Sequence, residues 1–128
     1  MAALLDTHTF LWFVSGDNQL PEKIKNKILD INEPCYISIA SFWEITIKIQ
    51  IGKLKIDISL EELFKYADRN QIEIVQITSE HLLVLAALPQ HHSDPFDRLI
   101  VSQAISENLT LYSRDKGLKK YALQQEWG

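Results

Sequence analysis

Ala2-Ala3-Leu4-Leu5-Asp6-Thr7-His8-Thr9-Phe10-Leu11-Trp12-Phe13-Val14 changes character at one residue. Ala2–Leu5 is apolar without interruption and reads as a short buried strand, which the carboxylate of Asp6 ends. From Thr7 to Val14 the apolar residues Phe10, Leu11 and Val14 fall at helical steps, and Ser15-Gly16 stops the run. A strand that hands over to a helix across a single acid is half of a parallel-sheet unit. The rest of the chain repeats the alternation.

Pro21-Glu22-Lys23 opens a second helix with Ile24, Ile28 and Leu29 on one face and Lys23, Lys25 and Lys27 around the others, and Asn32-Glu33-Pro34 breaks it. Cys35–Ile39 alternates and reads as a strand. Ser41-Phe42-Trp43-Glu44 has the serine-x-x-glutamate spacing of a capping box opening a helix over Trp43–Gln50, which Gly52 ends. Leu54–Ile58 reads as a short extended piece. Ser59-Leu60-Glu61-Glu62 is a second capping box, for a helix through Ala67. Glu73–Ile77 is a strand, and Thr78 or Ser79 caps a helix over Glu80–Leu88. Asp94-Pro95-Phe96-Asp97 combines an N-cap, a proline at the first helical position and an acid at the third, so it starts a helix over Pro95–Ser106. Leu109–Tyr112 is a strand and Lys116–Ala122 a short helix. The tail Leu123–Gly128 is too polar to read as a strand, with Trp127 as its anchor.

The length of 128 residues suits one domain, 1–128. Alternating strands and helices predict an α/β fold: a three-layer sandwich with a central, mostly parallel sheet of four to five strands flanked by helices. Apolar residues at 46% support a packed core, and no apolar run approaches the length of a membrane span. The first residues lack the basic flank of a signal peptide. A single cysteine, Cys35, forms no internal disulfide and fits a reducing, cytoplasmic setting. A net charge of −4 gives no global attraction to nucleic acid, so any such contact must be local or carried by metal ions.

The acids fall where ligands bind in open α/β sheets, at the carboxyl edge of the strands. Asp6 and Asp115 each follow a strand, Glu44 lies about a turn into a helix, and Asp94 and Asp97 stand at a helix start. Singly, each is explained as a cap or a first-turn acid, worth about 0.3–1 kcal/mol. Together they pose a charge problem: two ionised carboxylates about 4 Å apart repel by roughly 4 kcal/mol at an effective dielectric near 20. If they converge they need protons or a cation, and oxygen-only donors favour magnesium or manganese over zinc.

Leu4-Leu5-Asp6-Thr7-His8, Trp43-Glu44 with Lys48, Gly52-Lys53-Leu54, Asp94-Pro95-Phe96-Asp97-Arg98-Leu99 and Ser113-Arg114-Asp115, in this order, resemble the PIN domain, and most closely the VapC-like toxins of bacterial toxin–antitoxin pairs. The resemblance spans nearly the whole chain. It implies a metal-dependent endoribonuclease in which Asp6, Glu44, Asp97 and Asp115 hold magnesium or manganese. It also implies that Thr7 and Ser113 stand as small hydroxyls beside the acids, and that Lys48, Arg98 and Arg114, with Lys116, supply positive charge to the RNA substrate. The implied partners are a small antitoxin and a second copy in a homodimer or higher assembly, with no membrane. Asp94 belongs to the subgroup signature and is otherwise a cap. The polar tail departs from the family's more apolar last strand.

Other features have simpler readings. His91-His92 reads as a solvated loop pair, and Lys48 reads equally well as an i,i+4 partner of Glu44. Trp12, Trp43 and Trp127 read as core or interface anchors. Phe10, Trp12 and Phe13 give the first helix more aromatic surface than its own packing needs, which points part of it at a partner. Two other functions stay open: a non-catalytic binding module on the same fold, and a magnesium-dependent phosphoryl-handling domain. The latter wants adjacent acids or aspartate-x-aspartate after the first strand, and Asp6-Thr7-His8 offers neither.

Overall fold

The computed structural model describes residues 2–128, so Met1 lies outside the described residues. The elements run β1 (Ala3–Leu5), α1 (Thr7–Ser15), α2 (Glu22–Leu29), β2 (Cys35–Ser38), α3 (Ile39–Gln50), α4 (Leu60–Arg69), β3 (Ile72–Val75), α5 (Ser79–Ala87), α6 (Pro95–Ser106) and β4 (Thr110–Tyr112). A 3₁₀ turn (Lys116–Lys120) and β5 (Gln125–Glu126) complete the chain. The strands form one sheet in the order β3-β2-β1-β4-β5, and every neighbouring pair is parallel. This is the expected α/β sandwich, with the sheet at its upper strand number.

Alternation along the strands divides the core in two. Ala3, Leu5, Cys35, Ile37, Ile72 and Tyr112 face one side, against Phe10, Ile24, Phe42, Ile45 and Leu63. Leu4 and Leu111 face the other, against Ile100, Val101, Ala104 and Leu118. With both faces covered, the sheet is the middle layer of three. The central strand β1 contains nothing but buried apolar residues, which is why its short run is legible.

The chain leaves β1 toward β2 and β3 on one side, then returns to lay β4 and β5 on the other. Such a reversal opens a crevice at the carboxyl ends of the two strands flanking it. Asp6 follows β1 directly, and the register pairs Leu5 with Tyr112, so the segment beyond β4 emerges beside it.

The start of α3 differs from the sequence expectation. Ser41 and Glu44 do not form a capping box. Ser38, the last residue of β2, is the N-cap, and its Oγ accepts the Ala40 amide at 3.0 Å. Because the strand's own end carries a capping hydroxyl, β2 passes into the helix with no loop, and Ser41 and Glu44 are both buried within it. At α5 Thr78 does form a capping box, with His81 where a glutamate is usual: Thr78 N donates to His81 Nδ1 at 3.1 Å and His81 N to Thr78 Oγ1 at 3.3 Å.

Residues 54–58 pack on the core without joining the sheet. The polar tail does form an edge strand, held by contacts that sequence apolarity does not register. Gln125 Nε2 donates to the carbonyls of Ser113 (3.0 Å) and Asp115 (2.8 Å), Glu126 pairs with Lys27 and Lys23 of α2, and Trp127 packs on Trp12 with ring centroids 5.9 Å apart. Two of the α2 lysines thus serve the chain itself.

Candidate active site

Asp6 is the N-cap of α1, and its Oδ1 accepts the Thr9 amide at 2.8 Å. Burial raises its carboxyl above the ordinary aspartate range, against hydrogen bonding from Ser113 and Thr9. Glu44 comes from the interior of α3 and is only 3% exposed. Thr7 Oγ1 lies 2.7 Å from its Oε1, and Lys48 Nζ lies 2.9 Å from its Oε2. Thr7 Oγ1 also contacts Ser41 Oγ at 2.9 Å, so the residue after Asp6 ties α1 to α3.

Asp97 stands in the first turn of α6, after the Asp94 cap. Asp94 behaves as its sequence position suggests, its Oδ1 accepting the amides of Phe96 (2.8 Å) and Asp97 (3.2 Å). The Asp97 carboxyl is pushed up to about 7, chiefly by burial and next by the charge of Asp94; His92 opposes the rise, and Glu44 and Asp6 add to it. Asp6 at the start of α1 and Glu44 of α3, both far from Asp97 in the chain, thus lie near enough for their charges to bear on it.

Asp115 caps the 3₁₀ turn. Its Oδ1 accepts the Gly117 amide at 2.8 Å, and its Oδ2 lies 3.2 Å from His92 Nε2. His92 Nε2 is also 3.5 Å from Asp97 Oδ2. Donor atoms of His92, Asp97 and Asp115 all fall within 4.8 Å of one another. Asp6, His8, Trp12, Arg114 and Asp115 line a cleft of roughly 240 Å³ beside them. Ser113 is buried beneath, its Oγ accepting the Asp115 amide at 3.1 Å.

Some expectations need correction. The Arg98 guanidinium does not face the acids: it is buried and donates to the carbonyls of Pro89 (2.8 Å) and Leu88 (3.3 Å) and to the Tyr121 hydroxyl (3.3 Å). It braces the loop before α6 rather than offering charge to a substrate. His92 is not a solvated loop residue. Only its adjacency to the Asp94 motif could have signalled otherwise. Phe10 and Phe13 are buried in the chain's own core, and Trp12 packs among His8, Trp127 and Arg114, whose guanidinium carbon sits 4.7 Å from the ring centre. The aromatic excess of α1 is absorbed internally. Arg114 also donates to Gln19 Oε1 at 3.0 Å. Trp43 is the exposed aromatic instead, 58% accessible and edge-on to Phe96 at 5.1 Å, with each ring one residue before a site acid.

A family model described as the PIN domain matches residues 3–123. The chain belongs to the PIN domain family. The PIN fold is likewise what solved structures share with it. VapBC2 from Rickettsia felis bound to a promoter DNA fragment aligns with 23% identity over 100% of both chains and a TM-score of 0.72. VapBC-1 from nontypeable Haemophilus influenzae aligns with 18% identity over 98% of this chain and 97% of that one, with a TM-score of 0.69. VapBC-5 from Mycobacterium tuberculosis, a member of the VapBC family of toxin–antitoxin systems, gives 16% identity over 98% and 95%, with a TM-score of 0.58. Comparison with curated proteins by sequence returned no match.

In this PIN domain the donor chemistry fits a hard divalent cation. Asp97 and Asp115 bring carboxylate oxygens to one place beside His92, Asp6 lines the adjoining cleft with Asp115, and burial with neighbouring negative charge favours a proton on Asp97 in the absence of a metal.

Proposed function

We propose that this PIN domain is a metal-dependent endoribonuclease and the toxin of a toxin–antitoxin pair. The observation that carries the reading is the grouping of Asp97 and Asp115 about His92, with Asp6 lining the cleft beside Asp115 and the charges of Glu44 and Asp6 both bearing on Asp97. Charges gathered in this way weaken the fold unless they bind something positive, and a phosphodiester cannot enter the cleft until they do.

Asp6, Glu44, Asp97 and Asp115 would hold magnesium or manganese. Bound there, such an ion lowers the pKa of water and stabilises charge on the phosphate and leaving oxygen. The chain's own residues do the positioning. Thr7 and Lys48 fix the Glu44 carboxylate, and Ser113 and the Gly117 amide fix Asp115. One of the carboxylates would accept the proton of the attacking water. Lys48, paired with Glu44, and Arg114, lining the cleft with Asp6 and Asp115, would offer positive charge to a backbone phosphate. Trp43 with Phe96 offers an unpaired base an aromatic face, a contact that single-stranded RNA makes readily.

The antitoxin reading is supported by the VapBC neighbours, one of which is described as a member of the VapBC family of toxin–antitoxin systems; the homodimeric toxin core is what the family resemblance alone implies. The cytoplasm suits a chain with one free cysteine, buried Cys35. Among the described residues no helix is long and apolar enough to cross a membrane.

The test is cleavage of a mixed RNA pool with magnesium by wild type, Asp6→Asn and Asp97→Asn. Cleavage by the wild type alone supports the enzyme. Equal cleavage by all three identifies a contaminant, and no cleavage with any metal favours a non-catalytic binding module.

A further inference from the structure

His92 sits within ligand distance of two of the acids, and the obvious reading is that it supplies a nitrogen to the metal. The geometry points to a different role: His92 is a positioning residue that donates Nε2–H to Asp115, beside Asp97, and stays out of the metal's coordination sphere. This inference rests on the metal-dependent reading of the same acids.

The argument turns on the other ring nitrogen. The backbone N–H of Asp94 points at His92 Nδ1 at 3.2 Å. An N–H can be accepted only by a lone pair, so Nδ1 carries no proton and the proton of the neutral ring is on Nε2. Nε2–H then has Asp115 Oδ2 as its acceptor at 3.2 Å, with Asp97 Oδ2 a longer contact at 3.5 Å. For Nε2 to bind a cation it must surrender that proton, and the neutral ring would then carry it on Nδ1. There it would meet the Asp94 N–H head-on. A metal-binding imidazole normally donates its second N–H to an acceptor, and here that nitrogen faces a donor.

The arrangement also explains what His92 joins. Asp97 rides on α6 and Asp115 on the turn after β4, and no backbone hydrogen bond among the described residues links the two segments. The imidazole, hydrogen-bonded to Asp115 Oδ2 and in contact with Asp97 Oδ2, stands between them. The ring lies beside Gly117: a Cβ added there would stand 3.8 Å from His92 Cδ2, an ordinary contact, and 3.1 Å from Asp115 Oδ1. The Asp94 amide aims the ring, so the Asp94-Pro95-Phe96-Asp97 segment orients the histidine as well as starting the helix.

Two measurements on the full-length protein test this. Long-range nitrogen–proton NMR correlations assign the His92 tautomer with and without magnesium. We expect the Nε2–H form in both. Calorimetric titration with magnesium should show His92→Ala binding about tenfold more weakly, the scale of outer partners of metal ligands. His92→Gln, whose amide N–H reaches the same place, should stay within about threefold of wild type. Loss of the Nε2 proton on adding magnesium, an Nδ1–H tautomer without it, or unchanged affinity in His92→Ala overturns this inference alone. Absence of any magnesium or manganese uptake by the wild type, measured against Asp6→Asn, overturns the nuclease reading and this inference with it.

Discussion

Lys48 Nζ lies 2.9 Å from Glu44 Oε2, one helical turn along α3, and the carboxylate it holds is almost wholly buried. The pair is therefore both the ordinary helix-surface contact and a support of the site. Lys48→Met keeps the stem and removes the charge. We expect it to cost about 1–2 kcal/mol in metal-free protein, since a buried carboxylate loses a partner while Thr7 still donates to it. Added magnesium should recover most of that loss. Urea denaturation with and without the metal checks both parts, and a loss unaffected by metal would separate Glu44 from the ion.

The raised Asp97 carboxyl sets a pH dependence with a definite sign. Its pKa is near 7 when folded, against an ordinary value of 3.8, so the folded chain keeps a proton that the unfolded chain releases between about pH 4 and pH 7. Metal-free stability should fall as pH rises through that window, and Asp6, raised in the same direction, adds to the fall. Metal binding displaces the proton, so apparent magnesium affinity should climb about tenfold per pH unit below pH 7 for one proton and flatten above it. Asp97→Asn should flatten both profiles, raise metal-free stability at pH 8 and abolish cleavage. Thermal melts across pH 5–8 give the first readout and calorimetry the second.

Gly117 leaves little room for a side chain. Its φ is not in the left-handed region, so alanine is tolerated by the backbone, but the new Cβ would press on Asp115 Oδ1 at 3.1 Å. Gly117→Ala should shift that carboxylate by a few tenths of an ångström. The expected result is magnesium binding about threefold to tenfold weaker, with stability changed by less than about 1 kcal/mol.

Arg98 separates a brace from a substrate contact. Arg98→Ala leaves the carbonyls of Leu88 and Pro89 without their donor and should cost about 2–4 kcal/mol. The salt dependence of RNA binding by the folded fraction should not change, because a buried guanidinium contacts no phosphate. A reduced salt slope in Arg98→Ala would return the residue to the RNA interface.

The parts of the fold legible in the sequence are those where one local signal dominates. β1 is readable because it is buried on both faces, and α6 because Asp94, Pro95 and Asp97 all mark the same boundary. The start of α3 was misread because two serines three residues apart can each cap, and nothing local says that Ser38 does so from inside a strand. β5 was illegible because long-range partners hold it: Lys27, Trp12 and the carbonyls of Ser113 and Asp115. Within the site, the acids were legible through their motifs. The inward turn of Arg98 and the bridging by His92 were not, since both depend on where residues 88–94 fold back.

The central strand has a temporal consequence. β1 is made first, but its neighbour β4 is aligned Ala3 to Thr110 and Leu5 to Tyr112, near the far end of the chain. Asp6 follows the first of these paired strands and Asp115 the second, so the cleft they line at the strands' ends lacks one side until the last part of the chain is made. Synthesis at about 5–20 residues per second leaves several seconds in which the first acid exists without the last. A nascent copy therefore carries an incomplete acid site, and the site is assembled only when the last strands have been laid beside the first.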